Sequence, residues 1–123
     1  MVSYPDVLLF ISGQWRASTS GKTIDVIDPA TERSIASVAS ASIDDAKAAV
    51  DAAAGAFEAW AARKPRERGE ILRKAYELIM RDAERLAKLI TIENGKALSD
   101  SRGEVAYAAE FFRWFSEEGV RNL

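Results

Sequence analysis

The side chains that most often carry chemistry near neutral pH are missing: among 123 residues there is no cysteine and no histidine. This chain can therefore supply no thiolate nucleophile, no thiolate ligand, no disulfide and no imidazole proton shuttle. What remains is carboxylates, one basic run and a group of aromatics. Asp44-Asp45 and Glu117-Glu118 are adjacent in sequence. Neighbours on a helix diverge by about 100°, so neither pair would share a proton or a metal, and both read as surface charges. The run Arg63-Lys-Pro-Arg-Glu-Arg68 is interleaved with Glu67 and followed by Glu70, which suits a solvated helix start better than a nucleic-acid patch. Phe111, Phe112, Trp114 and Phe115 could stack on bases only from a basic strand platform, and here they read as core and interface packing on a helix. No G-x-G-x-x-G, Walker loop, H-E-x-x-H or zinc spacing occurs.

The totals agree with that sparse inventory. A net charge of −2 from 17 basic and 19 acidic residues gives no whole-chain attraction to nucleic acid or to an anionic membrane. With 48% hydrophobic and 29% charged residues and a mean hydropathy of −0.15, the composition is globular, and the length suits one domain. The apolar run Val7 to Ile11 is far below the ~20 residues needed to span a bilayer, and acidic Asp6 stands where a signal peptide would be basic. A cytoplasmic protein with no membrane partner is expected.

The elements that would position these residues follow from periodicity and punctuation. Val7 to Ile11, the turn Ser12-Gly13 and Gln14 to Arg16 predict a tight hairpin. Thr23 to Ile27 and Arg33 to Val38 predict two further strands around the proline turn Asp28-Pro-Ala-Thr31. Ile43, Ala46, Val50, Ala53, Phe57 and Trp60 recur on one helix face, behind a capping box from Ser42 to Asp45, and are expected to pack within a helical layer. Pro65 opens a second helix carrying Ile71, Leu72, Ala75, Leu78 and Ile79. A break near Arg81-Asp82 starts a third, and Asn94-Gly95 ends it. Ser99 or Asp100 opens the last helix, with Val105, Ala108, Ala109, Phe112 and Phe115 expected to be buried and Gly119 as a stop. Gly103 inside it costs about 1 kcal/mol against alanine, which invites close helix packing as its reason. The result is an α+β fold, antiparallel strands over 1–40 followed by three or four packed helices over 41–123.

Taken in order, Leu9-Phe-Ile-Ser-Gly-Gln-Trp15, Ile27-Asp-Pro-Ala-Thr-Glu32, the helix Ile43 to Trp60, Arg68-Gly-Glu-Ile-Leu-Arg73 and Glu93-Asn-Gly-Lys96 resemble the N-terminal segment of the aldehyde dehydrogenase superfamily. The stretches Arg102-Gly-Glu-Val-Ala-Tyr-Ala-Ala109 and Arg113-Trp-Phe-Ser-Glu-Glu118 are most similar to its succinate-semialdehyde dehydrogenases. The resemblance covers nearly the whole chain. It implies that 1–123 is a single truncated domain, with a Rossmann-like core, a catalytic domain and an oligomerisation segment to follow.

Family membership implies NAD or NADP as cofactor, and an aldehyde as substrate, only for the complete enzyme; for this chain no cofactor, no catalytic residue and no activity are expected. It also implies that the last helix flanks the substrate tunnel, with Ser101 and Val105 toward its mouth and with Gly103 and the aromatics packed closely. A monovalent cation would be held through the Ile27 carbonyl and the Glu93 carboxylate, the alternative being that Glu93 simply faces solvent. The helical faces that the later sheet covers in relatives would be bare here, so the chain is expected to self-associate. A free-standing helical module, binding a partner through Trp60, Phe111, Trp114 and Phe115, is the alternative reading from a different class.

Overall fold

Ser12 and Gly13 both take left-handed backbone angles, φ 54° and 78°, the pattern whose twist lets two strands join through two residues. In the computed structural model, which describes residues 7–121, they link β1 (Leu9–Ile11) to β2 (Gln14–Arg16). Phe10 lies opposite Trp15 in that antiparallel pair, their ring centroids 4.9 Å apart. A second antiparallel pair joins β3 (Thr23–Asp28) to β4 (Arg33–Ala39), with a bulge between Val26 and Ile27. Pro29 follows Asp28, whose carboxylate accepts from the Ala30 N–H (2.9 Å) and the Thr31 hydroxyl (2.8 Å) and so closes the turn. Helix α1 (Ile43–Ala61) comes next.

Three more helices complete the chain. Pro65 opens α2 (Pro65–Arg81) at a position where its missing N–H costs nothing. After the break at Asp82 comes α3 (Ala83–Asn94), which Gly95 ends at φ 79° by returning its N–H to the Thr91 carbonyl. Helix α4 (Leu98–Arg121) starts one residue before the Ser99 expected from sequence. Gly119 does not end it: its φ is not positive, so it remains an ordinary helical residue.

The described residues form two compact units, 7–61 and 62–121. Strands end at Ala39 and helices begin at Ile43, and helix α1 groups with the strands, the two units meeting at 61/62. In the first unit the apolar stripe of α1 is not buried. Ile43, Val50, Phe57 and Trp60 are exposed, as is Ala53, and the residue of α1 that is buried is Asp45. Periodicity identifies the face correctly as apolar, but none of the described elements of the unit buries it.

In the second unit α4 packs on α2 and α3. Its buried line is Ser101, Val105, Ala109 and Ser116, with Ala87 of α3 opposite as a further core residue. Val105 and Ala109 are where the sequence pattern puts them, whereas Phe112 and Phe115 are exposed. The reason is the closeness of α2 and α4. A Cβ built on Gly69 would stand 2.6 Å from the Ser116 carbonyl oxygen and 3.1 Å from a Val120 methyl. Only small side chains fit such a seam, so the aromatics turn outward. Gly103, expected to serve close packing, has no such neighbour within 4 Å.

The two glycines should therefore respond in opposite directions to alanine. Gly69→Ala is expected to lower stability by about 1–2 kcal/mol, because helix propensity is outweighed by a backbone clash. Gly103→Ala should raise it by about 0.5–1 kcal/mol through the unfolded state. Thermal unfolding of the two variants beside the parent decides the matter, and equal shifts would contradict the seam.

Candidate functional site

The densest polar cluster is built on Asp45, one of the four carboxylates expected at the surface. It is 1% exposed. Ser42 caps α1, and its Oγ accepts the Asp45 N–H at 3.1 Å while Asp45 Oδ2 accepts the Ser42 N–H at 2.9 Å, the reciprocal capping box expected from sequence. The same carboxylate also reaches residues 26–29 positions earlier. Oδ2 accepts from Ser18 Oγ at 2.8 Å, from the Thr19 N–H at 3.1 Å and from Ser42 Oγ at 2.9 Å, and Oδ1 accepts from Arg16 Nη2 at 3.1 Å.

Counting protons orients the surrounding hydroxyls. Ser42 and Ser18 each spend their one hydroxyl proton on Asp45, so the Thr19 hydroxyl donates to Ser42 Oγ (2.7 Å) and the Ser20 hydroxyl to Ser18 Oγ (2.9 Å). The Asp45 carboxyl is held well below the usual carboxylate range. The Ser42 N–H is the largest cause; burial opposes it, and the Ser18 and Ser42 hydroxyls and the Thr19 N–H add to the lowering. A carboxylate so held stays ionised and exchanges no proton near neutrality. It clamps the β2–β3 loop onto the start of α1, and it is no general acid or base.

Sequence reasoning finds the local half of this cluster and misses Arg16, Ser18 and Thr19, whose only signal is loop composition.

The remaining site residues fall in several places. Ser101 is fully buried in the α3–α4 seam, where its Oγ lies 2.9 Å from Thr91 Oγ1 and 3.3 Å from the Ala97 carbonyl. Val105 is also buried, at the edge of an apolar groove of about 620 Å³ that it shares with Ile79, Leu86, Leu89, Ile90 and Glu93. Both residues implied at the tunnel mouth thus lie within the three-helix unit. Ile27 stands beside the bulge of β3 in the first unit, and Glu93 stands near the C-terminus of α3 in the second. Among the described residues no three acidic side chains converge. One carbonyl and one carboxylate fall short of the six or so oxygens a hard cation takes.

β4 passes to α1 through Ser40-Ala-Ser42 without a glycine loop, and the Ser42 N–H at the start of that helix is taken by the Asp45 carboxylate, not left for a phosphate. Among the described residues no helix is long and apolar enough to cross a membrane.

Paired strands, the capped α1 and a three-helix unit in this order define the N-terminal portion of an aldehyde dehydrogenase fold. Residues 15–123 match the aldehyde dehydrogenase family, and the chain belongs to that family. It is 43% identical over 111 residues to the succinate-semialdehyde dehydrogenase [NADP(+)] GabD of Escherichia coli, covering 90% of this chain and 23% of that enzyme. It is 53% identical over 88 residues to a succinate-semialdehyde dehydrogenase of Paenarthrobacter nicotinovorans, covering 72% of this chain and 20% of the relative. The crystal structure of a succinate-semialdehyde dehydrogenase from Burkholderia pseudomallei superposes with a TM-score of 0.91 at 38% identity, over 95% of this chain and 24% of that one. The chain thus spans about a quarter of the length of the relatives it matches.

The depressed pKa of Asp45 gives a signed expectation. Its stabilisation is complete above the unfolded carboxyl value of about 4 and is lost as pH falls below it. The parent should therefore lose stability between about pH 5 and pH 2. Asp45→Asn should be less stable at neutral pH and flatter across that acid window. Denaturant titrations of both at several pH values check this, and parallel curves would show that Asp45 is not the clamp.

Proposed function

We propose that this chain is the N-terminal part of an NAD(P)-dependent aldehyde dehydrogenase that oxidises succinate semialdehyde to the dicarboxylate, and that on its own it is catalytically silent. The supporting observation is the match of nearly the whole chain, in sequence and in backbone, to about the first quarter of succinate-semialdehyde dehydrogenases. The nicotinamide cofactor would accept the hydride in the complete enzyme. This chain's own residues supply framework: a clamped β2–β3 loop, a capped α1 with a bare apolar face, and a tight three-helix unit. Ser101 and Val105 would approach the substrate tunnel only through the α3–α4 seam, and Ile27 and Glu93 would each give one oxygen to a cation completed by other donors.

A second reading, a free-standing module that binds a partner through exposed aromatics, has the exposure of Trp60, Phe111, Trp114 and Phe115 in its favour. One pair of experiments separates the two. Purified 1–123 should reduce neither NAD nor NADP in the presence of succinate semialdehyde. A chimera carrying residues 15–121 in place of the matching segment of the E. coli enzyme should oxidise succinate semialdehyde within roughly tenfold of that enzyme's kcat/KM. A folded but inactive chimera would sink the enzyme reading and leave the module, and turnover by the isolated chain would refute its silence.

A further inference from the structure

Asn94 and Gly95, at the end of α3, are the chain's one Asn-Gly step. Asparagine before glycine readily loses its side-chain amide, because no side chain on the second residue hinders attack by that residue's backbone nitrogen. The reaction is intramolecular and balances without an enzyme. The Gly95 nitrogen gives up its proton and bonds to Asn94 Cγ, the Cγ–Nδ2 bond breaks, and the amide nitrogen leaves as ammonia with that proton. Water then opens the succinimide at either carbonyl, to aspartate or to isoaspartate.

The fold holds these two residues in the wrong geometry for that attack. The Gly95 N–H donates to the Thr91 carbonyl at 2.8 Å, which turns the nitrogen toward the helix and commits its proton there. Asn94 keeps helical backbone as the last residue of α3, whereas closing the five-membered ring requires its ψ to leave that region. The cap is fastened in turn by buried hydroxyls. Ser101 is fully buried and donates to the Ala97 carbonyl at 3.3 Å, so the Thr91 hydroxyl donates to Ser101 Oγ at 2.9 Å. The Ala97 carbonyl also accepts the N–H groups of Asp100 and Ser101, at 3.0 and 3.1 Å. Thr91, Ala97 and Ser101 thereby tie the last turn of α3, the corner and the first turn of α4 together.

We propose that Asn94 is a site of spontaneous deamidation and that the Thr91–Ser101 lock gates its rate. The corner must open before the Gly95 nitrogen can turn toward the Asn94 side chain. Aspartate at 94 then places a charge beside Glu93 at the C-terminal, negative end of α3, where it is unfavourable. Isoaspartate adds a methylene to the main chain, so the Gly95 N–H no longer returns to Thr91 in register. A modified corner is looser than the one it came from, and the change runs one way. Every contact invoked lies within α3, the corner and α4, so the gate operates whatever chain follows residue 123. It does not rest on the proposed enzymatic role.

The test is to incubate the 1–123 protein at mildly alkaline pH beside the free peptide of residues 89–96. The tryptic fragment Leu89–Lys96, whose one asparagine is Asn94, is then followed by mass and by isoaspartate content. Three hydrogen bonds must open at the corner, so the folded chain should deamidate roughly a hundredfold more slowly than the peptide. Ser101→Ala should speed the folded chain roughly tenfold. Thr91→Val keeps the accepting carbonyl and removes only the hydroxyl; it should act in the same direction, and it carries the test if Ser101→Ala does not fold. Gly69→Ala loosens the other end of α4, beside Ser116, and should leave the rate within about twofold. Equal rates in the folded chain and the peptide would overturn the gate. Parental rates in the folded lock variants would overturn it too, as would a Gly69→Ala as fast as they are, since Asn94 would then react only through global unfolding.

Discussion

The close approach of α2 and α4 at Gly69 governs the second unit. A helix that admits another backbone at this distance can carry only small side chains where the two meet, and α4 does so at Ser116. Its aromatics are then displaced to the far side, where nothing in the unit covers them. One steric constraint thus decides both what the core contains and what the surface offers. It also explains why the core is thin: among the described residues its buried apolar side chains are Ala87, Val105 and Ala109, and most larger aliphatic side chains of α2 and α3 stay partly in contact with water.

The first unit is organised by charge instead. Two short hairpins and one helix bury little apolar surface, and the carboxylate of Asp45 gathers donors from three segments: the end of β2, the loop after it and the N-cap of α1. A buried carboxylate would be costly if any of its lone pairs were unmet. Here both oxygens accept bonds from N–H and O–H groups, and the Arg16 guanidinium balances the charge from the more exposed side. The ion pairs of the second unit are of another kind. Arg102 bonds Glu84 through both its Nε and its Nη2, yet both side chains are about half exposed, and such pairs contribute little in water.

Features that rest on neighbours along the chain are legible in the amino-acid sequence. The turn at Ser12-Gly13, the proline at the start of α2, the break at Asp82 and the left-handed Gly95 all follow from the allowed angles of one or two residues. The capping box from Ser42 to Asp45 follows from three-residue spacing. Contacts between distant segments are not legible in this way. Spacing says that Phe112 and Phe115 share a face with Val105, but not which part of a broad apolar face a neighbour will choose. That choice depends on Gly69, more than thirty residues away. Asp45 reads as a surface charge because Arg16, Ser18 and Thr19, the donors beyond its own cap, lie far away in sequence. Gly119 reads as a stop because glycine permits a left-handed turn, but nothing in the backbone requires one there. The family is legible because it rests on the order of many weak local features, and similarity in sequence and backbone bears it out.

The long reach of Asp45 also orders events in time. Ribosomes deliver Arg16, Ser18 and Thr19 well before the carboxylate that will bind them, so the loop after β2 leaves the exit tunnel with only water to satisfy its donors. Ser42 and Asp45 arrive together and can close the helix cap within a single turn. The loop can lock only once Asp45 is present, through a closure spanning more than twenty-five residues, an entropic cost that local hairpins do not bear. The β-hairpins need only their own residues, whereas the clamp that joins the loop to α1 must wait for Asp45.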